Sequence, residues 1–121
     1  MFGIFDKAPN HPQSWETLDS LGTLESIIEK SHDAPIVIFK HSTRCSISSM
    51  AKSRLEGASD GTNPTIYYLD LIANRDISNE VASKFGVEHE SPQILVIRDG
   101  KATFNTSHGG ISMDVIKQNT L

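Results

Sequence analysis

One side chain in this sequence offers a sulfur nucleophile: Cys45, the single cysteine among 121 residues. It stands in the run Phe39-Lys40-His41-Ser42-Thr43-Arg44-Cys45-Ser46-Ile47-Ser48. Upstream, Pro35 opens the apolar stretch Ile36-Val37-Ile38-Phe39, which reads as a buried strand. Downstream, Ile47, Met50, Ala51 and Leu55 recur at helical spacing and predict one inward helix face. A thiol between that strand and that helix meets the unpaired N–H groups of the helix N-terminus, which carry partial positive charge. Lys40, His41 and Arg44 crowd the same turn. Both influences favour thiolate over thiol, and thiolate is the form that attacks a disulfide. Arg44, adjacent to the cysteine, is the stronger candidate to stabilise the sulfur, with Lys40 behind it. Thr43 and Ser48 offer hydroxyls to the same atom.

Cys45-Ser46-Ile47-Ser48 is a C-x-x-S arrangement. A dithiol enzyme carries a second, resolving cysteine one helical turn after the first. Ser48 occupies that place and cannot form an S–S bond. One cysteine also excludes an internal disulfide. The expected chemistry is therefore monothiol exchange, in which Cys45 joins a mixed disulfide and an external thiol releases it. The bland alternative is a buried, inert cysteine; the basic turn on one side and Ser46 and Ser48 on the other do not suit a core position. A cysteine-loop phosphatase needs arginine six residues after the cysteine, where this chain has Ala51. His11, His32, His41, His89 and His108 show no metal-ligand spacing with Cys45, so no metal site is expected.

The elements that must hold this turn follow from patterning. Residues 1–14, with Pro9, Asn10, Pro12 and Gln13, read as a flexible N-terminal arm, and residues 15–121 as one domain. Trp15-Glu16-Thr17-Leu18 alternates as a short strand. Thr23 is placed to cap a helix carrying Leu24, Ile27 and Ile28 inward. The helix after Cys45 runs to about Glu56 and stops at Gly57. Gly57 to Pro64 is a polar loop, and Thr65–Leu71 a second apolar strand. Asp76 or Ser78 caps a helix with Ile77, Val81 and Phe85 on one face, ended by Gly86. Gln93–Arg98 is a third apolar run, Asp99-Gly100 a hairpin turn and Lys101–Thr106 the returning strand. Gly109-Gly110 opens a last helix bearing Ile111, Val115 and Ile116. The order is β-α-β-α-β-α-β-β-α. Crossovers make the first four strands parallel, and the hairpin adds an antiparallel edge.

Net charge is −4 with no block of like charges, so the basic footprint of a nucleic-acid or anionic-membrane binder is missing. No apolar run approaches the ~20 residues of a membrane span. The N-terminus lacks the pattern of a signal peptide. A lone cysteine suits a reducing compartment, and a cytoplasmic protein is expected.

The element order and its markers resemble the thioredoxin fold: an α/β architecture with a central mixed sheet, parallel strands plus an antiparallel edge hairpin, and helices on both faces. Cys45 follows the central strand at a helix start. Ser91-Pro92 precedes the hairpin, where thioredoxin-like proteins place a cis-proline facing the active-site cysteine. Gly109-Gly110 precedes the last helix, as in glutaredoxins. Within that superfamily, the block Phe39–Ser48, Trp15 and Ser91-Pro92-Gln93 resemble the monothiol bacilliredoxin (YtxJ-like) family. Ser46 stands where that family more often has proline.

The resemblance implies a monomeric oxidoreductase with no permanently bound cofactor. Its co-substrate would be bacillithiol, a small thiol that some bacteria use in place of glutathione. Its partners would be bacillithiolated proteins, from which it removes that thiol. It implies that Ser91 and Pro92 present backbone to the substrate, where the plain reading of Pro92 is a strand-start proline. It implies that Gly109 and Gly110 hold a carboxylate of the small thiol on their amides, where the plain reading is a turn. Two other functions fit a C-x-x-S thioredoxin-like chain: an iron–sulfur carrier sharing its cluster across a dimer, and a redox-silent interaction module.

Overall fold

A computed structural model of the chain describes residues 14–58 and 64–121. In chain order the elements are β1 (Glu16–Thr17), α1 (Leu21–Lys30), β2 (Ile36–His41), α2 (Ser46–Gly57), β3 (Thr65–Asp70), α3 (Arg75–Phe85), β4 (Gln93–Arg98), β5 (Lys101–Ser107), a 3₁₀ turn (His108–Gly110) and α4 (Met113–Gln118). The arm expected over residues 1–14 lies, apart from Ser14, outside the described residues, as do positions 59–63 of the loop after α2.

The strands form one sheet in the order β1-β3-β2-β4-β5. Every residue of β2 is buried, as expected of a central strand covered on both faces. Side chains alternate across it. Val37 and Phe39 join Ile66, Tyr68, Ile94 and Val96 under α2 and α4. Ile36 and Ile38 join Tyr67, Leu69, Leu95 and Ile97 under α1 and α3. The sheet thus separates two apolar layers, and the expected mixed α/β architecture forms.

One strand direction departs from expectation. β1, β2 and β3 are parallel, but β4 runs antiparallel to β2, with Lys40 opposite Gln93 and Ile36 opposite Ile97. The cause is the segment after α3. That helix has 11 residues and descends about 16 Å along the sheet. Gly86, at φ 65°, ends it in the left-handed conformation. Residues 86–92, if extended, span up to about 23 Å and return the chain to the edge where α3 began. β4 therefore starts beside the C-terminal end of β2 and runs back. The hairpin to β5 then turns at Asp99 (φ 54°) and Gly100 (φ 75°). This pair of left-handed positions is what a two-residue turn between twisted strands requires.

Helix boundaries bring further corrections. Ser20, not Thr23, caps α1: its hydroxyl accepts from the Thr23 N–H at 3.1 Å. Asn74, not Asp76 or Ser78, is the N-cap of α3. The Asp70 carboxylate organises the turn before it by accepting from the N–H groups of Ile72 and Ala73. Gly57 is the last residue of α2, with Ala58 at the C-cap. Gly109-Gly110 does not open the last helix. It lies in the 3₁₀ turn, and α4 starts at Met113, capped by the Ser112 hydroxyl on the Val115 N–H. On α2 the buried residues are Ser48, Ala51 and Leu55. Ile47 and Met50, expected inward, are 54% and 62% exposed. Ala51 and Leu55 face inward as expected; Ser48, bonded beneath the helix, takes the third buried place, and Ile47, about 100° round the helix from it, faces solvent with Met50.

Candidate active site

Because β2 and β3 are parallel while β4 runs against them, β2 and β3 end where β4 begins. β5 ends there too: Gln93 pairs with both Lys40 and Ser107, and His41 pairs with Asp70. The Cys45 turn, Ser91-Pro92 and the His108–Gly110 turn all extend from this one sheet edge.

Cys45 is the N-cap of α2, with φ −114° and ψ 123°. Its N–H donates to the Ser42 carbonyl at 3.2 Å, closing the turn, and its carbonyl accepts from the Ser49 N–H at 3.0 Å. The residue is half-buried, and its side chain makes no capping hydrogen bond. The sulfur is uncommitted and sits at the positive end of a 12-residue helix. Thr43 and Arg44 are exposed in the turn, and Arg44 has no ion pair among the described residues. Among the described residues no hydroxyl bonds the sulfur. Ser48 is fully buried, and its Oγ accepts from the Ser42 N–H at 3.0 Å and lies 2.7 Å from His41 Nδ1. The expectation that Ser48 bonds the thiolate gives way to a bond beneath the turn.

Lys40 is also corrected. It shares the face of Ile36 and Ile38, opposite α2. Its Nζ donates to the Ser78 carbonyl of α3 at 3.3 Å and lies 3.4 Å from His89 Nδ1. No part of it is exposed. Burial, and then the nearby Arg75 charge, pull its pKa from 10.5 down to about 8. It therefore does not belong to the Cys45 turn. His89 is pushed down in turn by its own burial, by Lys40 and by Arg75.

Alternation along β2 puts His41 on the same face as Phe39, which the structure covers with α2, and the ring packs between Phe39 and Tyr68, with centroids 5.8 and 5.6 Å away. Burial first, and then Lys52, lower its pKa against the opposing pull of Asp70, of a hydrogen bond to the Ser48 backbone and of Glu56. Its role beneath the turn was not among the expected ones. The period-2 pattern of β2 was the available signal.

The Ser91-Pro92 peptide is cis. Pro92 is buried, and its carbonyl accepts from the His108 N–H at 3.1 Å, tying this segment to the last turn. Gln93, also buried, holds the approach to it: its amide donates to the Glu88 carbonyl at 3.0 Å and accepts from the Glu90 N–H at 3.4 Å. The Ser91 hydroxyl is buried with no partner among the described residues. On the other side, Arg54 of α2 donates to the carbonyls of His108 and Ile111, bracketing the exposed Gly109 and Gly110. A Cβ on Gly110 would collide with Thr106 Oγ1, whereas one on Gly109 would meet nothing. Close packing therefore demands glycine at 110 alone. Arg54 had no sequence signal, because its partners are backbone carbonyls more than 50 positions away.

Among the described residues no group of His, Cys, Asp or Glu could hold a metal ion, and no helix is long and apolar enough to cross a membrane. The fold is thioredoxin-like. A solved protein described as having a thioredoxin fold superposes with a TM-score of 0.77 at 30% identity, covering 87% of this chain and 92% of that one. The thioredoxin of Malassezia sympodialis gives 0.71 at 19% identity, covering 93% and 96%. A thioredoxin mutant from Halobacterium salinarum gives 0.66 at 17%, covering 94% and 97%. The family model of the monothiol bacilliredoxin BrxC matches residues 16–116. That span carries the sole cysteine, the cis-proline segment and every strand of the sheet, and the chain belongs to the monothiol bacilliredoxin family.

Proposed function

We propose that this protein removes bacillithiol from mixed disulfides on other proteins, using Cys45 as its only nucleophile. The observation that carries the reading is the free sulfur of Cys45: half-exposed, at a helix N-terminus, with no capping bond and no second cysteine to close on. The Cys45 thiolate attacks the bacillithiol sulfur of a protein–S–S–bacillithiol disulfide. That S–S bond breaks, the target leaves as thiolate and takes a proton from water, and Cys45 now carries bacillithiol. An external thiol attacks the same small-thiol sulfur, leaves as a mixed disulfide with bacillithiol, and returns the Cys45 thiolate.

Arg44, exposed beside the cysteine, stabilises the sulfur's charge, and Thr43 borders the approach. Ser91 and Pro92 offer backbone to the target. Gly109 and Gly110 flank the opposite side and contact the small thiol through exposed backbone. They do so without a helix dipole behind them, since α4 begins beyond them. The protein acts as a cytoplasmic monomer on bacillithiolated proteins, with bacillithiol as its co-substrate. The test is release of bacillithiol from a modified target, followed by mass. Wild-type protein restores the target's thiol and appears carrying one bacillithiol on Cys45, and Cys45→Ser does neither. Full activity in the serine variant would end the proposal.

A further inference from the structure

Cys45 occupies the N-cap of α2, but its side chain does none of a cap's work. An N-cap side chain ordinarily accepts an N–H of the first helical turn; here the sulfur accepts none. The turn is held from inside the helix instead. Ser48, at the third helical position, reaches back to the Ser42 N–H at 3.0 Å, and the Ser42 carbonyl accepts the Cys45 N–H at 3.2 Å. The Ser48 hydroxyl has one hydrogen. Its 2.7 Å contact with His41 Nδ1 is the only other bond it makes among the described residues. If Nδ1 carried a proton, Oγ would accept twice and its own hydrogen would be orphaned in a fully buried site, which is costly. The satisfied arrangement has Ser48 donating to a bare Nδ1, with the imidazole neutral and protonated on Nε2.

We propose that His41 and Ser48 are positioning residues for the Cys45 sulfur: the His41 ring fixes the Ser48 hydroxyl, the hydroxyl fixes Ser42, and Ser42 sets the turn that leaves the sulfur free. The proposal relies on the function above only for the identity of the substrate. It also explains why oxygen stands at the fourth position of C-x-x-S. A thiol is larger and bonds weakly, so a cysteine at 48 would supply a resolving sulfur while giving up the hold on the turn. The groups facing His41 are Phe39 on its own strand, Tyr68 and Asp70 on β3, and Ser48, Lys52 and Glu56 on α2.

The test compares Ser48→Ala, His41→Phe and His41→Asn, the last keeping an oxygen acceptor near the place of Nδ1. Three quantities are read: the ¹⁵N shift of His41 Nδ1 in the wild type, hydrogen exchange of the Ser42 amide, and the rate at which iodoacetamide alkylates Cys45. The wild type shows an unprotonated Nδ1. Ser48→Ala and His41→Phe each speed Ser42 exchange and slow alkylation about tenfold, the double variant is no worse than either, and His41→Asn recovers most of both. A protonated Nδ1 in the wild type overturns the proposal even if a variant fails to fold. So does a His41→Asn variant as impaired as His41→Phe, or additive losses in the double variant. If these readings hold while bacillithiolated protein is not turned over, the positioning role stands and the assigned substrate falls.

Discussion

Replacing Lys40 with methionine should make the protein more stable at neutral pH. The ammonium is fully buried and has no carboxylate partner among the described residues; its contacts are a carbonyl at 3.3 Å and a ring nitrogen at 3.4 Å. Its pKa falls from 10.5 to about 8. Between those values the unfolded chain holds a proton that the folded chain has released, so stability rises with pH across that window. Below about pH 8 the folded protein bears the whole cost of the buried charge, about 3 kcal/mol at about 1.4 kcal/mol per pH unit. Methionine keeps the length and apolar stem but loses two long hydrogen bonds, worth about 1 kcal/mol together. Lys40→Met should therefore gain about 2 kcal/mol at pH 7, and the gain should vanish toward pH 10.5. Urea unfolding of both proteins at pH 7, 9 and 10.5 measures it, and taking the difference removes groups common to both. A variant less stable than wild type at pH 7, or a difference that ignores pH, would refute the reasoning. Alkylation of Cys45 should stay within about twofold of wild type, since Lys40 lies across the sheet from α2.

On α2, Ile47→Ser and Met50→Ser should each change stability by less than about 0.5 kcal/mol, whereas Leu55→Ala should cost about 2–5 kcal/mol; thermal or urea unfolding of the three separates an exposed pair from a core position. Gly110→Ala should cost about 1–3 kcal/mol through overpacking against Thr106, and adding Thr106→Ala should return most of it, whereas a purely additive double variant would show that the clash is not the cause. Arg44→Ala should lower the rate of exchange with an anionic mixed disulfide about threefold to tenfold at low salt, with the gap closing by 1 M salt, where screening reaches within about 3 Å; a gap unchanged by salt would remove charge as its contribution.

Much of the site was legible because its signals are local. Cys45 lies between an apolar run and a helix-period run, and Asp99-Gly100 is chemically suited to one kind of turn, so neither needed the rest of the chain. Long-range facts left weaker marks. Alternation along β2 separates Lys40 from His41, but it does not say which face α2 will cover. Three cations close in sequence therefore looked like one cluster, while the fold sends Lys40 to α3 and His41 beneath the cysteine turn. The stripe on α2 held at Ala51 and Leu55 and missed at Ile47 and Met50 for a related reason. The third buried place of the helix is taken by Ser48 through hydrogen bonds beneath it, and a hydrophobic pattern cannot register a hydroxyl.

The direction of β4 joins these points. Two strands of sequence reasoning were at odds: crossover rules made β4 parallel to β2, while the family likeness required Pro92 to face Cys45. A parallel β4 starts at the far end of the sheet, and its six residues would set Pro92 about 20 Å from the cysteine turn. Both expectations could not hold. The structure resolves them through the seven residues 86–92, which climb back beside α3 and deliver Pro92 next to the end of β2. Besides Val87 against the core, that climb is held by polar bonds of buried side chains: Gln93 to Glu88 and Glu90, and Lys40 to His89. The buried lysine thus belongs to the approach to the cis-proline, on the far side of the sheet from the sulfur. A charge that costs the fold stability is bonded to the segment that leads into Pro92.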